Sequence, residues 1–172
     1  MPSLRPFEAG DWPFSFEATF DRAATGAHLT YVLRGDLGGV RFGAPGAPRR
    51  ADGLWEHTCF EAFLRPVGGT AYWEVNLAPS GAWNLYHFSA YRTGHRPEER
   101  LQLLASSFSI AGDEARLQAQ IPLDALPELR GSLQIGLTAV LEHAEGAKSY
   151  WALLHPGPKP DFHLAEGFIV AA

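Results

Sequence analysis

The segment FSFEATF, Phe14 to Phe20, sets Phe14, Phe16, Ala18 and Phe20 against Ser15, Glu17 and Thr19. Residues two apart on an extended chain share a face, so this alternation predicts a half-buried β-strand. The pattern recurs along the chain. HLTYVLRG (His28 to Gly35), TCFEAFL (Thr58 to Leu64), AYWEVNL (Ala71 to Leu77) and AWNLYHFSAY (Ala82 to Tyr91) each read as a strand. RPVGG and APSG are tight connections between the last three, which predicts an antiparallel meander. Downstream, LQLLASSFSIAG and EARLQAQIPL form a further pair turning at AGDE. SLQIGLTAVLEH and KSYWALLH form another, joined by AEGA, and FIVA closes the chain as a short strand. GDLGGVRFGAPGAPRRADG, RTGHRPEER and HPGPKPDFHLAEG read as loops, and LDALPEL as a single helical turn. About ten short strands without a long amphipathic helix predict an all-β fold, an antiparallel β-sandwich of jelly-roll or immunoglobulin-like type. The 172 residues fit one domain spanning 1–172, and no fixed-period repeat or linker divides them.

Composition narrows the function classes. Net charge is −5, and Arg49-Arg50 is the longest basic run, so a nucleic-acid footprint is not expected. No apolar run approaches membrane-spanning length, so no membrane partner is expected. The N-terminal residues lack the charged start, apolar stretch and cleavage site of a secretory signal. The single cysteine, Cys59, leaves no intrachain disulfide. Both features lead to the expectation of a cytoplasmic protein.

The patterns that assemble common chemistries are missing from the sequence: GxSxG, HExxH, CxxC, a P-loop and GxGxxG. Cys59 lies inside an alternating strand and reads as an inert buried thiol. His155, Asp161 and His163 share one loop, but Pro156, Pro158 and Pro160 stiffen it and the spacing fits no tight metal pattern, so no metal site is assigned. For haem, His87 and His143 are the available histidines, and Met1 is the only methionine. Glu61 and Glu74 lie on neighbouring strands and form a carboxylate pair of the kind glycoside hydrolysis uses, without other hydrolase features. A catalytic role is therefore not expected, nor is a required cofactor.

The stretch from Leu54 to Arg92 holds three of the five tryptophans, with Glu61, Glu74, Asn76 and Asn84 among the rings. Trp73, Val75 and Leu77 share one face of their strand, and Tyr72, Glu74 and Asn76 the other. An ordinary solvent face would carry more Lys, Thr and Ser. Rings beside planar polar groups suit a small-ligand site, because the CH face of a sugar packs on an aromatic ring while its hydroxyls take directed hydrogen bonds. The same rings also serve as plain core, and for Trp55 and Trp151 both roles stay open at this level. Tyr72, Glu74, Asn76, Arg92 and His155 are candidate ligand-binding residues from this argument.

Three segments resemble a known family. LWEHTCFEAFLRP is similar to the LW…E-x-F-(L/I) strand signature of DOMON-like domains and the related family 9 carbohydrate-binding modules. YWEVNLAPSGAWNLYHFSAYR resembles the Y-x-E-x-N-x-x-P-x-G hairpin of the bacterial DOMON-like subgroup. SYWALLHPGPKPDFHLAEGFIV is similar to that subgroup's YWAL-HP…PDFH…F ending. The resemblance implies a β-sandwich that binds a small ligand without catalysis, sugars or haem in family members. Carried over by motif, it assigns Trp55 as one wall around a sugar and Glu61 as the group that binds its hydroxyls; Trp151, by its place near the C-terminal strand, is the expected second wall. His57-Thr58 stands where sugar-binding relatives often carry an acidic residue, and the methionine ligand of haem-binding relatives has no counterpart beyond Met1. The expected partner is a small molecule, a sugar or sugar derivative. The alternatives are a haem-binding or redox-partner domain and a protein-interaction sandwich whose partner is unknown.

Overall fold

The computed structural model describes residues 1–171, with side chains described through Ile169. Among these residues the strands are β1 (Arg5–Pro6), β2 (Phe14–Ala23), β3 (Gly26–Gly35), β4 (Arg49–Arg50), β5 (Cys59–Pro66), β6 (Tyr72–Leu77) and β7 (Ala82–Phe88). They continue with β8 (Arg96–Pro97), β9 (Ala105–Ala111), β10 (Glu114–Ile121), β11 (Leu133–Glu142), β12 (Lys148–Ala152) and β13 (Ile169–Ala171). Helical structure is confined to short 3₁₀ turns, among them Leu54–Glu56. The strands form two sheets, an all-β sandwich as the alternation predicts. The larger runs β1-β12-β11-β5-β6-β7-β4, with β13 added to β11 and β8 to β7; the smaller runs β2-β3-β10-β9.

The sheets differ in how their outer faces are treated. In β2 and β10 of the smaller sheet, buried residues alternate with exposed or half-buried ones. Every residue of β6 is buried, and so is all of β5 up to Leu64. The large sheet is therefore covered on both sides. Its inner face gives Phe60, Ala62, Leu64, Trp73, Val75, Leu77 and Leu85 to the main core, where they meet Phe16, Leu29, Tyr31 and Leu33 of the smaller sheet. Tyr31 crosses the interior and donates its hydroxyl to the backbone carbonyl of Glu61, tying the two sheets at the strand that carries the candidate site. On the outer face, Phe63, Tyr72, Tyr86, Phe88 and Phe168 form a second apolar cluster with Phe162 packed on it. Phe162 and Phe168 come from the chain after β12, which folds back over the sheet.

The meander β5-β6-β7 is present with the expected turns, and Glu61 pairs with Asn76 across β5 and β6. Some details differ from the sequence expectation. The strand expected to reach Tyr91 ends at Phe88, because residues 89–94 close a turn in which Ser89 donates to the Thr93 carbonyl at 2.9 Å. Arg92 takes φ 49° in that turn, a left-handed conformation that non-glycine residues rarely adopt. The pairing is not wholly antiparallel: β4, inside a segment expected to be loop, runs parallel to β7. Two-residue strands such as β1, β4 and β8 are too short to show an alternation, so only their partners define them.

Gly136 on β11 lets Phe168 lie against the sheet. A Cβ at this position would stand 2.8 Å from Cδ1 of Phe168, and the Phe168 ring is already stacked on Phe63 at 5.7 Å. The ring has little room to yield. Gly136→Ala is expected to lower stability by about 1–3 kcal/mol in denaturant titration.

Candidate functional site

The covering chain does not close completely over the large sheet. A cavity of about 420 Å³ remains above its outer face, lined by Trp55, Glu61, Glu74, Phe88, Arg92, His95, Val140, Lys148, Tyr150, Pro160, Phe162 and His163. Glu61 and Glu74 come from the sheet itself and form the floor. Tyr150 and Lys148 come from β12. Trp55, Arg92, His95, Phe162 and His163 descend from three separate connections.

Trp55 sits on the 3₁₀ turn Leu54–Glu56, which Gly53 opens at φ 71°. The chain just before it is fixed by Asn84, whose amide donates to Asp52 Oδ1 at 2.9 Å and to the Ala51 carbonyl at 3.1 Å. Tyr86 donates to the same carboxylate at 2.7 Å. Arg50 donates to Asn84 Oδ1 at 2.8 Å and lies over the Trp83 ring at 4.4 Å. The indole of Trp55 meets Tyr86 edge-on at 6.1 Å and stays 42% exposed, a ring held at the mouth rather than packed into the core.

Arg92 is held by Asp161 through an ion pair of 2.8 Å. Asp161 also accepts from Tyr91 at 2.5 Å and from the His163 amide at 3.1 Å. Burial works against the Asp161 charge, but the hydrogen bonds from Tyr91 and Arg92 outweigh it and keep the carboxyl below its ordinary range. Tyr72 accepts from the Arg92 amide at 3.2 Å, which leaves its own proton for Nδ1 of His163 at 2.7 Å. Burial, with the charge of Arg92, lowers His163 to about 4, so the ring is neutral at physiological pH. The neutral ring then carries its hydrogen on Nε2, the nitrogen that faces Glu74 Oε2 at 3.8 Å.

The floor is acidic and dry. Glu61 is 3% exposed and accepts from Thr138 at 3.4 Å. Glu74 is 6% exposed and accepts from the Asn76 amide at 2.8 Å. Burial raises Glu74 to about 7 against the opposing help of Asn76 and Arg92. Burial raises Glu61 well above the ordinary carboxyl range, and the neighbouring Glu74 charge adds to it. Near neutrality such a pair retains a proton, and it can donate a hydrogen bond, accept one, or receive a cation. Burial likewise pushes the Cys59 thiol up, beside both carboxyls, which keeps it protonated and unreactive.

Of the residues singled out in the sequence, Trp55, Glu61, Glu74 and Arg92 meet at this cavity. Tyr72 and Asn76 lie behind it, Tyr72 holding His163 and Asn76 holding Glu74. Trp151 is not brought to the site. It faces the sandwich interior, 3% exposed, against Trp12, Phe14 and Phe16 at 5.2–5.6 Å, and its indole donates to Ser149 at 2.9 Å. Its neighbour Tyr150 lines the cavity instead, because adjacent residues on a strand face opposite ways. His155 is also outside, bonded to the Arg5 carbonyl at 2.9 Å and packed edge-on against Phe7. Neither His87 nor His143 lines the cavity; His87 packs on Trp73 at 4.8 Å and His143 bonds Ser149 at 2.7 Å. Among the described residues no group of three or more His, Cys, Asp or Glu side chains is placed to hold a metal ion, and no helix is long and apolar enough to cross a membrane. Tyr150, Lys148, His95, Phe88 and Phe162 were missed. Tyr150 and Phe88 were readable from alternation; the loop residues were not.

Comparison with protein families gave no match, and comparison with curated proteins gave none either. Among solved structures, the chain is similar to the 2.70 Å crystal structure of a "putative carbohydrate-binding protein" from Bacteroides uniformis. The TM-score is 0.67 at 20% sequence identity, covering 97% of this chain and 84% of the other. At that identity the likeness is one of fold.

Two outcomes are expected from this geometry. Trp151→Ala should cost about 3–5 kcal/mol in denaturant titration, whereas Trp55→Ala should cost about 1 kcal/mol or less. The second concerns Glu74. The folded chain keeps this proton up to about pH 7, while an unfolded glutamate releases it near its ordinary value of 4.5. The folded state therefore binds more protons across that window, and this group's contribution makes stability fall as pH rises through it. Glu74→Gln should flatten that decline in thermal unfolding measured across pH; an unchanged slope would show that Glu74 is ionised throughout.

Proposed function

We propose that the chain is a non-catalytic binding module for a carbohydrate or sugar derivative, which it holds in the cavity above the large sheet. The observation that carries this reading is an aromatic-walled concavity whose floor is made of buried carboxyl groups. The volume suits a small-molecule site, and the mix of rings with a few convergent polar groups is typical of one. A pyranose placed there would pack its CH face on Trp55 or Tyr150. Its hydroxyls would meet Glu61 and Glu74 from below and His163 and Arg92 from the side. Tyr72 and Asn76 act as positioning residues. The name of the Bacteroides uniformis protein, a "putative carbohydrate-binding protein", supports the same class of ligand, as does the motif resemblance to DOMON-like domains and family 9 carbohydrate-binding modules.

The test is tryptophan fluorescence titration with a panel of mono- and disaccharides, combined with isothermal calorimetry. Trp55→Ala and Tyr150→Ala should each weaken binding of a responding sugar by roughly tenfold to a hundredfold, with thermal unfolding little changed. Loss of binding only in variants that also unfold would count against the site. Steady release of the leaving group from aryl glycosides would count against a purely binding role.

A further inference from the structure

Among the described residues, the two carboxyl groups of the cavity floor have no charged cationic side chain within ion-pair distance. Glu61 and Glu74 are each more than nine-tenths buried, yet both line the open space. Their hydrogen-bonding neighbours, Thr138 and Asn76, are neutral. Oε2 of Glu61 accepts from Thr138 at 3.4 Å, the neutral Cys59 thiol stands against the same carboxyl, and the side chain lines the cavity. Arg92 is committed to Asp161 at 2.8 Å. The nearest basic group, His163, faces Glu74 at 3.8 Å with a neutral ring. Lys148 stands on the exposed rim, opposite Glu142 in the register of β11 and β12. His95 is also exposed at the rim, and the Cys59 thiol beside the pair adds no positive charge.

Burying carboxyls without a counter-charge is costly, and two side by side more so. A neutral sugar needs only hydrogen bonds, which one carboxyl and an amide supply as well. What two adjacent carboxyls add is a place for positive charge. The walls agree with that. The rings of Trp55, Phe88, Tyr150 and Phe162 surround the floor, and the negative face of an aromatic ring attracts a desolvated cation. The rim cations Lys148 and Arg92 disfavour a polycation and admit a ligand with a single positive group reaching down.

We propose that the ligand of this cavity carries one protonated amine, as an amino sugar does, and that Glu61 and Glu74 together receive it. This deepens the sugar-binding reading and rests on it. The amine keeps its proton on binding, and a carboxyl that ionises to meet it releases its own proton to the buffer. Amine affinity therefore rises with pH until the ligand itself deprotonates, while the affinity of a neutral sugar does not follow that rise.

The experiment is calorimetry of the full chain with matched sets of an amino sugar, its parent sugar and its N-acetyl derivative in the gluco, galacto and manno series. It is run at about pH 5.5 and about pH 7.5, on either side of the value of about 7 to which burial raises Glu74, in buffers of differing ionisation enthalpy. The expected result is that one amino sugar binds about tenfold or more tighter than its two neutral partners at the higher pH. That preference should shrink at the lower pH, and the buffer dependence should report proton release. Glu61→Gln with Glu74→Gln should erase the preference, with folding checked by thermal unfolding. Neutral sugars binding as well as the amine, or better, overturn the amine proposal and leave the sugar reading standing. A preference that survives the double substitution overturns the role of the pair. Silence from every member of the panel overturns both readings.

Discussion

Strands β5, β6 and β7 are buried on both faces, and much else in this structure follows from that constraint. A strand covered on one side can send its polar residues to water. A strand covered on both sides must satisfy every polar group from within. The inner faces are largely apolar; Trp73 donates its indole N–H to Glu98 at 3.0 Å, while among the described residues Trp83 Nε1 and His87 Nδ1 stay buried without a partner. The outer faces carry Glu61, Glu74, Asn76, Asn84 and Tyr86, and each polar tip is tied to a neighbour on the same face or on a covering loop. Asn84 and Tyr86 hold the segment leading to Trp55, while Tyr72 holds His163. The polar residues that look like ligand groups in the sequence thus divide into those that fasten the cover and those that remain facing the gap beneath it.

The gap is shaped by the same division. Where Phe63, Tyr72, Phe88 and Phe168 meet, the cover seals against the sheet. Over Glu61 and Glu74 it does not seal, and the carboxyls are left with few partners in a dry setting. Their raised proton affinity follows from burial first and from each other second. A floor that is dry but incompletely satisfied favours an incoming group able to complete it. The left-handed Arg92 belongs to the same arrangement, since its amide and guanidinium hold Tyr72 and Asp161 while its side chain borders the cavity.

Alternation in the sequence located the long strands and the meander, though not the two-residue strands β1, β4 and β8 or the end of β7, and it separated the two faces of β6 without ambiguity. It also contained what was needed to place Tyr150 and Trp151 on opposite faces. Which of the two turned outward depended on the register of β12 against β11, where Val140, also a cavity residue, stands opposite Tyr150. The expectation for Trp151 followed residue type and its place near the C-terminal strand rather than register. It selected a core ring that packs with Trp12, Phe14 and Phe16 from the opposite end of the chain.

By itself, then, the sequence determined the all-β class, the order of the strands and the clustering of rings with carboxyl and amide groups between Leu54 and Arg92. These are local properties, set by a two-residue period and by turn residues a few positions apart. Only the tertiary structure decided that the chain after β12 returns over the large sheet, and that Phe162 and His163 meet Trp55 and Arg92 there. Only it decided that Glu61 and Glu74 share a floor while Trp151 and His155 fall outside. Those outcomes depend on contacts between residues up to 150 positions apart, and no short-range pattern in the chain encodes which distant segment will cover which face.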